Sequence, residues 1–257
     1  MTMGSPDILL TNDDGIDSPG LQALANGLWD VGNVTVVAPA DNRSAMGRAS
    51  SAEVTVREHE LGYAIEGTPV DCVVAGVEAL APDPDVVVSG INKGANLGMY
   101  VLGRSGTVGA AVEAAYFGVP AIATSLYLPG DRWKRETNAD EYREAVRATA
   151  FLVDHALEED VFDSVDYLNV NAPAPENGRT DMAITRPSAA YDMSATREGE
   201  QITLHDNMWQ RMEEGGLDEP PETDRRTVVE GSVSVSPLTV PHTTERHDAL
   251  DSLAARF

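Results

Sequence analysis

The chain has 257 residues, of which 42% are hydrophobic, enough to build a core and too many for a wholly disordered protein. It has no run of about 20 apolar residues and no basic or apolar leader at its start, which excludes the patterns of a membrane helix and a signal peptide. Its single cysteine, Cys72, excludes an internal disulfide framework and a multi-cysteine zinc site. We therefore expect a cytoplasmic protein without a membrane partner.

The charge balance is strongly acidic. Lys and Arg number 18 and Asp and Glu 42, which gives a net charge of −24. Such a chain repels nucleic-acid backbones, and no basic patch opposes this, so we expect no nucleic-acid partner. Lys93 and Lys134 are the only lysines, and the acids are spread along the chain. Because concentrated salt screens repulsion among such charges, this composition predicts a salt-adapted source.

The first forty residues predict a strand, a helix and a second strand. Residues 7–11 form an apolar run that ends at the polar turn Asn12-Asp13-Asp14-Gly15, as expected of a buried strand. Ser18 and Pro19 suit the N-cap and the first position of a helix. Residues 33–38 predict the next strand. This order is typical of a parallel sheet.

The middle of the chain repeats the alternation. In order, the patterns predict a helix beginning at Thr68-Pro69, a strand at 85–88 that breaks at Ser89-Gly90, a small-residue helix at 107–117, a strand at 119–126, an amphipathic helix at 140–158 and a strand at 167–170. The predicted fold is therefore α/β, with a Rossmann-like, mainly parallel sheet flanked by helices.

The composition changes after about Pro173, where Pro, Gly and acidic residues become frequent. Segments 182–185 and 233–237 alternate in polarity and predict β-structure, whereas the acidic stretch around 213–224 indicates mobility. Residues 245–257 show a weak helical pattern. We accordingly predict an α/β core over residues 1–172 and a β-rich extension with a tail over residues 173–257.

Three polar clusters follow predicted strands: Asn12-Asp13-Asp14-Gly15, Asp41-Asn42-Arg43-Ser44 and Ser89-Gly90-Ile91-Asn92. Ligands of open α/β sheets bind beyond the carboxyl ends of the strands, so these clusters should converge. Their carboxylate, hydroxyl and amide oxygens suit Mg²⁺ or Mn²⁺, and the absence of His and Cys argues against zinc. Taken singly, each residue also fits a turn or a helix cap; the adjacent aspartates are the strongest signal.

A fourth cluster, Ser105-Gly106-Thr107, opens the small-residue helix. Unpaired N–H groups and hydroxyls at a positive helix end form a suitable seat for phosphate. The same residues also fit a plain helix cap, and the two interpretations are compatible. The glycine-rich motifs of dinucleotide-binding and P-loop proteins are absent.

Together these residues carry a resemblance to a known family. The segments ILLTNDDGIDSPG (8–20), VVAPADNRSAMGRA (36–49), GTPVDCV (67–73), VVSGINKGANLG (87–98) and SGTVGAAVEAA (105–115) resemble those of the SurE family of metal-dependent nucleoside monophosphate phosphatases, in the family's order. The resemblance extends to about residue 130, and beyond it only the layout is similar.

The resemblance implies a site and an assembly. It implies that Asp13, Asp14, Ser44 and Asn92 bind one divalent cation, Mg²⁺ or Mn²⁺, with Asp13 and Asp14 also catalytic. It implies that Asn96, Ser105, Gly106 and Thr107 hold the substrate phosphate. The expected activity is hydrolysis of nucleoside monophosphates by a 5′-nucleotidase, and the sequence leaves open whether 3′-phosphates are substrates as well. The expected assembly is a homodimer or homotetramer in which the C-terminal extension contacts neighbouring subunits.

Two other functions were compared with this one. A haloacid-dehalogenase-type phosphatase needs aspartates two positions apart after its first strand, but Asn12 stands where the nucleophile would be. A nucleotide-binding regulator would need the phosphate seat without paired carboxylates, and it remains the alternative to the enzyme.

Overall fold

The computed structural model describes residues 5–175, 180–215 and 217–240. The helical pattern expected at 245–257 lies outside these ranges. Within them, no helix is both long and apolar enough to cross a membrane.

The strands include each one predicted in the first two thirds of the chain and two more, within residues 56–65, that the sequence pattern did not predict. They are β1 (Asp7–Thr11), β2 (Asn33–Pro39), β3 (Val56–His59), β4 (Gly62–Ile65), β5 (Val86–Lys93), β6 (Ala121–Tyr127), β7 (Tyr167–Pro173), β8 (Met182–Ile184), β9 (Met193–Glu198), β10 (Gln201–Asp206) and β11 (Val233–Leu238).

The helices lie mostly between successive strands. They are α1 (Pro19–Leu28), α2 (Pro69–Ala75), α3 (Met99–Leu102), α4 (Gly106–Tyr116), α5 (Arg143–Ala156), α6 (Asn207–Glu213) and α7 (Asp224–Val229). A π-helical turn, Gly76–Leu80, extends α2, and short 3₁₀ segments lie at Gly130–Lys134, Ala139–Tyr142 and Val161–Asp163.

Nine of the described strands form one sheet in the order β3-β4-β2-β1-β5-β6-β7-β11-β8. The run from β4 to β7 is parallel, while β3 on β4 and β11 on β7 are antiparallel. A separate antiparallel pair, β9 and β10, follows. The predicted α/β class with a β-rich C-terminal part is confirmed.

Helices cover both faces of the sheet. Ile8 and Leu10 of β1 pack in one cluster with α1 and α5, whereas Leu9 packs in the other with α2 and α4. Neighbouring strand residues are therefore buried on opposite faces, which is why β1 is an apolar run without alternation. Cys72 is fully buried in the second cluster, as predicted.

Strand β5 differs from the prediction because it continues through Ser89-Gly90 to Lys93. Its register against β6 shifts between Ser89 and Asn92. Gly90 has φ +143°, and a Cβ there would lie 2.3 Å from the Thr124 carbonyl oxygen. Glycine thus lets β5 pass close to β6 at a position where we expected the strand to end. The Gly90–Ile91 peptide bond is cis.

Candidate active site

The site lies at the carboxyl ends of three neighbouring strands. β1 is central, with β2 on one side and β5 on the other. Asp13 and Asp14 follow β1, Ser44 lies in the loop after β2, and Asn92 lies at the end of β5. The three clusters therefore converge where the parallel topology predicted.

Asp14 connects all three strand ends. Its Oδ1 accepts hydrogen bonds from Asn42 Nδ2 at 3.2 Å and from Ser44 Oγ at 3.4 Å. Its Oδ2 accepts from the Lys93 main-chain N–H at 2.9 Å. Burial raises the pKa of Asp14, although these three donors and the Lys93 charge oppose the rise. The carboxylate is thus fixed in place by mainly neutral partners.

Asp13 is buried, with 3% of its surface exposed. Its Oδ1 accepts a hydrogen bond from Thr107 Oγ1 at 2.7 Å, and its main-chain oxygen accepts from the Arg43 N–H at 2.6 Å. Burial raises the pKa of Asp13 to about 6, the charge of Asp14 adds to the rise, and the Thr107 hydroxyl opposes it. A cation bound here would stabilise both ionised carboxylates.

Asn92 follows directly after the register shift in β5. Its Nδ2 donates to the Gly94 carbonyl oxygen at 2.6 Å, so its amide oxygen faces away from that bond and can serve as a ligand. With Asp13, Asp14 and Ser44 its oxygen would make an all-oxygen donor set of the kind that suits Mg²⁺ or Mn²⁺, and this set stays a prediction. Across the described ranges no three His, Cys, Asp or Glu side chains form a metal-binding group, and this set contains only two of them.

The N-terminus of α4 packs directly against Asp13. Ser105 caps the helix, because its Oγ accepts a hydrogen bond from the Val108 N–H at 3.1 Å. A Cβ on Gly106 would lie 2.9 Å from both Cβ and Oδ2 of Asp13, so glycine permits this approach. The first N–H groups of a helix lack intrahelical partners and carry its positive end. An anion seated on this turn would therefore lie beside the carboxylate pair.

Asn96 belongs to a different network from the Ser105-Gly106-Thr107 turn. Its Nδ2 donates to Ser125 Oγ at 2.9 Å, and its N–H donates to Asn171 Oδ1 at 2.8 Å. Its main-chain oxygen accepts from Asn169 Nδ2 and Asn171 Nδ2. Asn96 is thereby fixed against β6 and β7, and its contact with phosphate stays a prediction.

A cavity of about 670 Å³ opens beside Asp14. Its walls come from the turns after β1 and β2, the end of β5 and the segment before α5; the lining residues are Asp14, Gly15, Asp17, Ser18, Pro19, Ala40, Asp41, Asn42, Lys93, Glu136, Thr137 and Tyr142. Lys93 Nζ donates to the Arg135 carbonyl oxygen at 2.6 Å and so links β5 to the rim.

Sequence reasoning assigned no role to several of these residues. Asn42 was in a predicted cluster, but its bond to Asp14 depends on β2 lying next to β1. Ser125, Asn169 and Asn171 lie within the next two strands, where no local sequence signal distinguishes them from other strand residues. His59 Nε2 lies 3.2 Å from Asp17 Oδ1, and His242 and His247 are outside the described ranges.

Comparison with known proteins shows which family the chain resembles. A sequence model described as "Survival protein SurE" matches residues 8–194. A protein named 5'-nucleotidase SurE from Halobacterium salinarum is 60% identical over 258 residues, covering all of both chains. Its namesake from Haloarcula marismortui is 59% identical over 99% of this chain and 96% of its own length.

A solved structure agrees as well. The SurE protein from Aquifex aeolicus superposes with a TM-score of 0.79 at 31% identity, covering 98% of this chain and 99% of the other. The relatives from salt-loving archaea confirm the prediction of a salt-adapted source. On the match of its sequence and its fold, the chain belongs to the SurE family.

Proposed function

We propose that this protein is a metal-dependent phosphomonoesterase that hydrolyses nucleoside 5′-monophosphates, with 3′-monophosphates as further substrates, to nucleoside and phosphate. The observation that carries the proposal is the 2.7 Å hydrogen bond from Thr107 Oγ1 to Asp13 Oδ1. This hydrogen bond connects the helix N-terminus that suits a phosphate with the carboxylate pair that suits a cation. The names of the relatives support the same activity.

The metal centre would consist of Asp13, Asp14, Ser44 and Asn92. The neutral donors around Asp14 and the raised pKa of Asp13 support a single divalent cation, Mg²⁺ or Mn²⁺. When bound, that cation would polarise the phosphoryl oxygens and lower the pKa of a water molecule.

Groups of the protein itself would orient the phosphoryl group and the attacking water. The N–H groups of the Ser105-Gly106-Thr107 turn would orient the phosphoryl group and spread its charge in the transition state. Asp13 or Asp14 would orient the attacking water and accept its proton. A new bond would form from the water oxygen to phosphorus, the ester P–O bond would break, and the sugar oxygen would leave with the proton that the aspartate had accepted from the water.

The test is phosphate release from AMP and GMP in molar KCl, after chelation and after addition of Mn²⁺ or Mg²⁺. We expect no release from the chelated protein and full recovery with metal. Binding of AMP without release in the presence of metal would instead establish the regulatory alternative. Equal release with and without metal would contradict the assigned metal centre.

We further propose that the protein acts in the cytoplasm as a homodimer or homotetramer, through residues 173–257. Exposed apolar side chains on β8 and β10 support this: Ile184 is 68% exposed, Ile202 60% and Leu204 71%. Its acidic charge supports the absence of a nucleic-acid partner.

A further inference from the structure

The connection between β5 and α4, residues 94–105, carries Asn96, contains the single-turn helix α3 and ends at Ser105; we call it the loop. We propose that Asp224 and Arg225, at the start of α7, are positioning residues that hold this loop in the shape that binds phosphate. The inference rests on the proposed function and deepens it, because it makes the C-terminal extension part of the phosphate seat.

The side chain of Asp224 binds the backbone of the loop. Its Oδ2 accepts a hydrogen bond from the Gly98 N–H at 2.7 Å. Its Oδ1 accepts from the N–H groups of Ser188 and Arg225, at 2.9 and 2.8 Å. The carboxylate is fully buried, so all three bonds form away from water and are charge-assisted. Asp224 therefore fixes Gly98 against residues that are distant in sequence.

Arg225 supports the loop from the same side. The residue is 1% exposed, and its Nη2 lies 3.4 Å from the Leu97 carbonyl oxygen. Its Nη1 donates to Ser188 Oγ at 2.9 Å and to the Ala190 carbonyl oxygen at 3.0 Å. Glu219 balances its charge at 3.3 Å. The guanidinium group thus joins the loop to a second stretch of the extension.

The loop is shaped to receive these side chains. Gly98 has φ +84°, and a Cβ there would lie 2.3 Å from Arg225 Nη2. The next residue, Met99, donates its N–H to the Ser188 carbonyl oxygen at 2.8 Å. Tyr100 places its ring 5.3 Å from the Arg225 guanidinium carbon. Three successive loop residues therefore contact the Asp224–Arg225 pair or its neighbour Ser188.

The contacts lie between the two predicted phosphate-binding positions. Asn96 is two residues before Gly98, and the Ser105 N–H donates to the Val101 carbonyl oxygen at 3.0 Å. A shift at Gly98 would therefore reach both ends of the loop. A buried ion pair is a weak source of stability, because desolvation offsets its attraction. Precise placement of the loop gives a physical reason for burying the Arg225–Glu219 ion pair.

The experiment compares Asp224→Asn and Arg225→Lys with Glu222→Gln. The control removes the exposed Arg186–Glu222 ion pair in the same segment without touching the loop. For each variant we would measure the Kd of inorganic phosphate with Mn²⁺ bound, the affinity for Mn²⁺, the KM for AMP and the melting temperature. An asparagine has one amide oxygen for donors that now share two carboxylate oxygens, so the loop loses a partner.

We expect Asp224→Asn to raise the phosphate Kd by about 10-fold and the KM for AMP similarly, with Mn²⁺ affinity unchanged. Arg225→Lys should have a smaller effect in the same direction, and Glu222→Gln none. If Asp224→Asn does not fold, Arg225→Lys decides. Unchanged phosphate binding, or equal losses of phosphate and Mn²⁺ binding, would overturn the proposal by showing a merely structural role.

The two proposals fail in distinguishable ways. If the wild-type protein binds phosphate but does not hydrolyse AMP, the proposed function fails while the phosphate Kd of the variants still tests the positioning. If it hydrolyses AMP and the variants bind phosphate normally, only the positioning fails.

Discussion

The pairs Asp13–Asp14 and Asp224–Arg225 are both adjacent in sequence and both at the start of a turn or helix, but their charges are balanced differently. The side-chain partners of Asp13 and Asp14 are hydroxyl and amide groups, from Thr107, Asn42 and Ser44. Asp224 instead accepts from the main-chain N–H groups of Gly98, Ser188 and Arg225, and the buried Arg225 guanidinium is paired with Glu219. Burial raises the pKa of Asp224 as well, but three main-chain N–H groups and the Arg225 charge oppose that rise.

The difference separates a binding site from a scaffold. A buried carboxylate that accepts three main-chain hydrogen bonds, as Asp224 does, is satisfied once the chain has folded. Two neighbouring carboxylates with mainly neutral donors remain costly to ionise until a cation arrives from outside. The first pair should therefore govern metal binding, and the second the shape of a loop. The following predictions test this contrast.

The largest effect should come from Asp14→Asn. We expect phosphate release from AMP to fall by about three orders of magnitude, since loss of a metal ligand removes several kcal/mol of transition-state stabilisation. The metal-free variant should melt no lower than the wild type, because the substitution removes a half-buried charge that repels Asp13. Rate assays and melts with and without Mn²⁺ measure both.

Asp7→Asn is the matched control, since Asp7 lies exposed at the opposite end of the same strand. It should leave the rate and the stabilisation by Mn²⁺ unchanged. Near-normal activity of Asp14→Asn at low metal concentration would show that this aspartate is not part of the mechanism. It would also contradict the proposed difference between the Asp13–Asp14 and Asp224–Arg225 pairs.

The double variant Ser105→Ala, Thr107→Ala should weaken inhibition by free phosphate. Loss of charge-assisted hydrogen bonds predicts a cost of about 1–3 kcal/mol. Thr68→Ala is the control, because Thr68 caps α2 through a capping box and has no assigned phosphate role. If both variants lose stability but inhibition by phosphate is unchanged, the Ser105-Gly106-Thr107 turn is only a helix cap.

Added salt should screen the repulsion that arises from the net charge of −24 on the chain. The screening length falls from about 30 Å at 0.01 M to about 3 Å at 1 M salt, so repulsion among the 42 acidic residues weakens. We expect the melting temperature to rise by about 5 °C or more in molar KCl, equivalent to about 2 kcal/mol. Sedimentation over the same range should show more oligomer. A flat or falling melting temperature would refute the salt adaptation.

The smallest effect concerns Glu141, a carboxylate matched by arginines. Its hydrogen bond with Arg135 holds its pKa down at about 2, with Arg132 contributing, against an ordinary value of 4.5. Because the pKa is lowered in the folded state, the stabilisation is full above about pH 4.5 and is lost as the pH falls towards about 2. Both arginines reach solvent, so we expect about 1 kcal/mol or less.

Acid unfolding of Glu141→Gln measures this contribution. The stability difference from the wild type should be constant above pH 5 and vanish by about pH 2. A difference that persists at pH 2 would show that the glutamate acts by packing.

The sequence allowed the α/β core and the carboxylate pair to be predicted because their signals are local. Residues 7–11 and the Asp13-Asp14 turn are contiguous, and Ser18-Pro19 caps α1 as expected. The family resemblance supplied Ser44 and Asn92. The structure places both at the predicted sheet edge, although their binding of metal stays a prediction.

The remaining features depend on contacts that no local pattern reports. Asp224 meets Gly98 across 126 positions of sequence. The acidic stretch around 213–224, for which mobility was expected, contains the buried residues Glu219 and Asp224. β9 and β10 are exposed over almost their whole length, so no buried face distinguishes them from loops. These features depend on the assembled three-dimensional structure and not on local sequence.

The position of β11 has a consequence for how the chain is made. β11 pairs with β7 on one side and with β8 on the other, and Ser234 lies opposite Asn171, 63 positions earlier. During synthesis, β7 is therefore an open edge strand until almost the whole chain has left the ribosome. Open edges invite pairing with other chains, and closing so distant a contact is slow. Truncation before residue 233 would leave the nascent sheet exposed to aggregation.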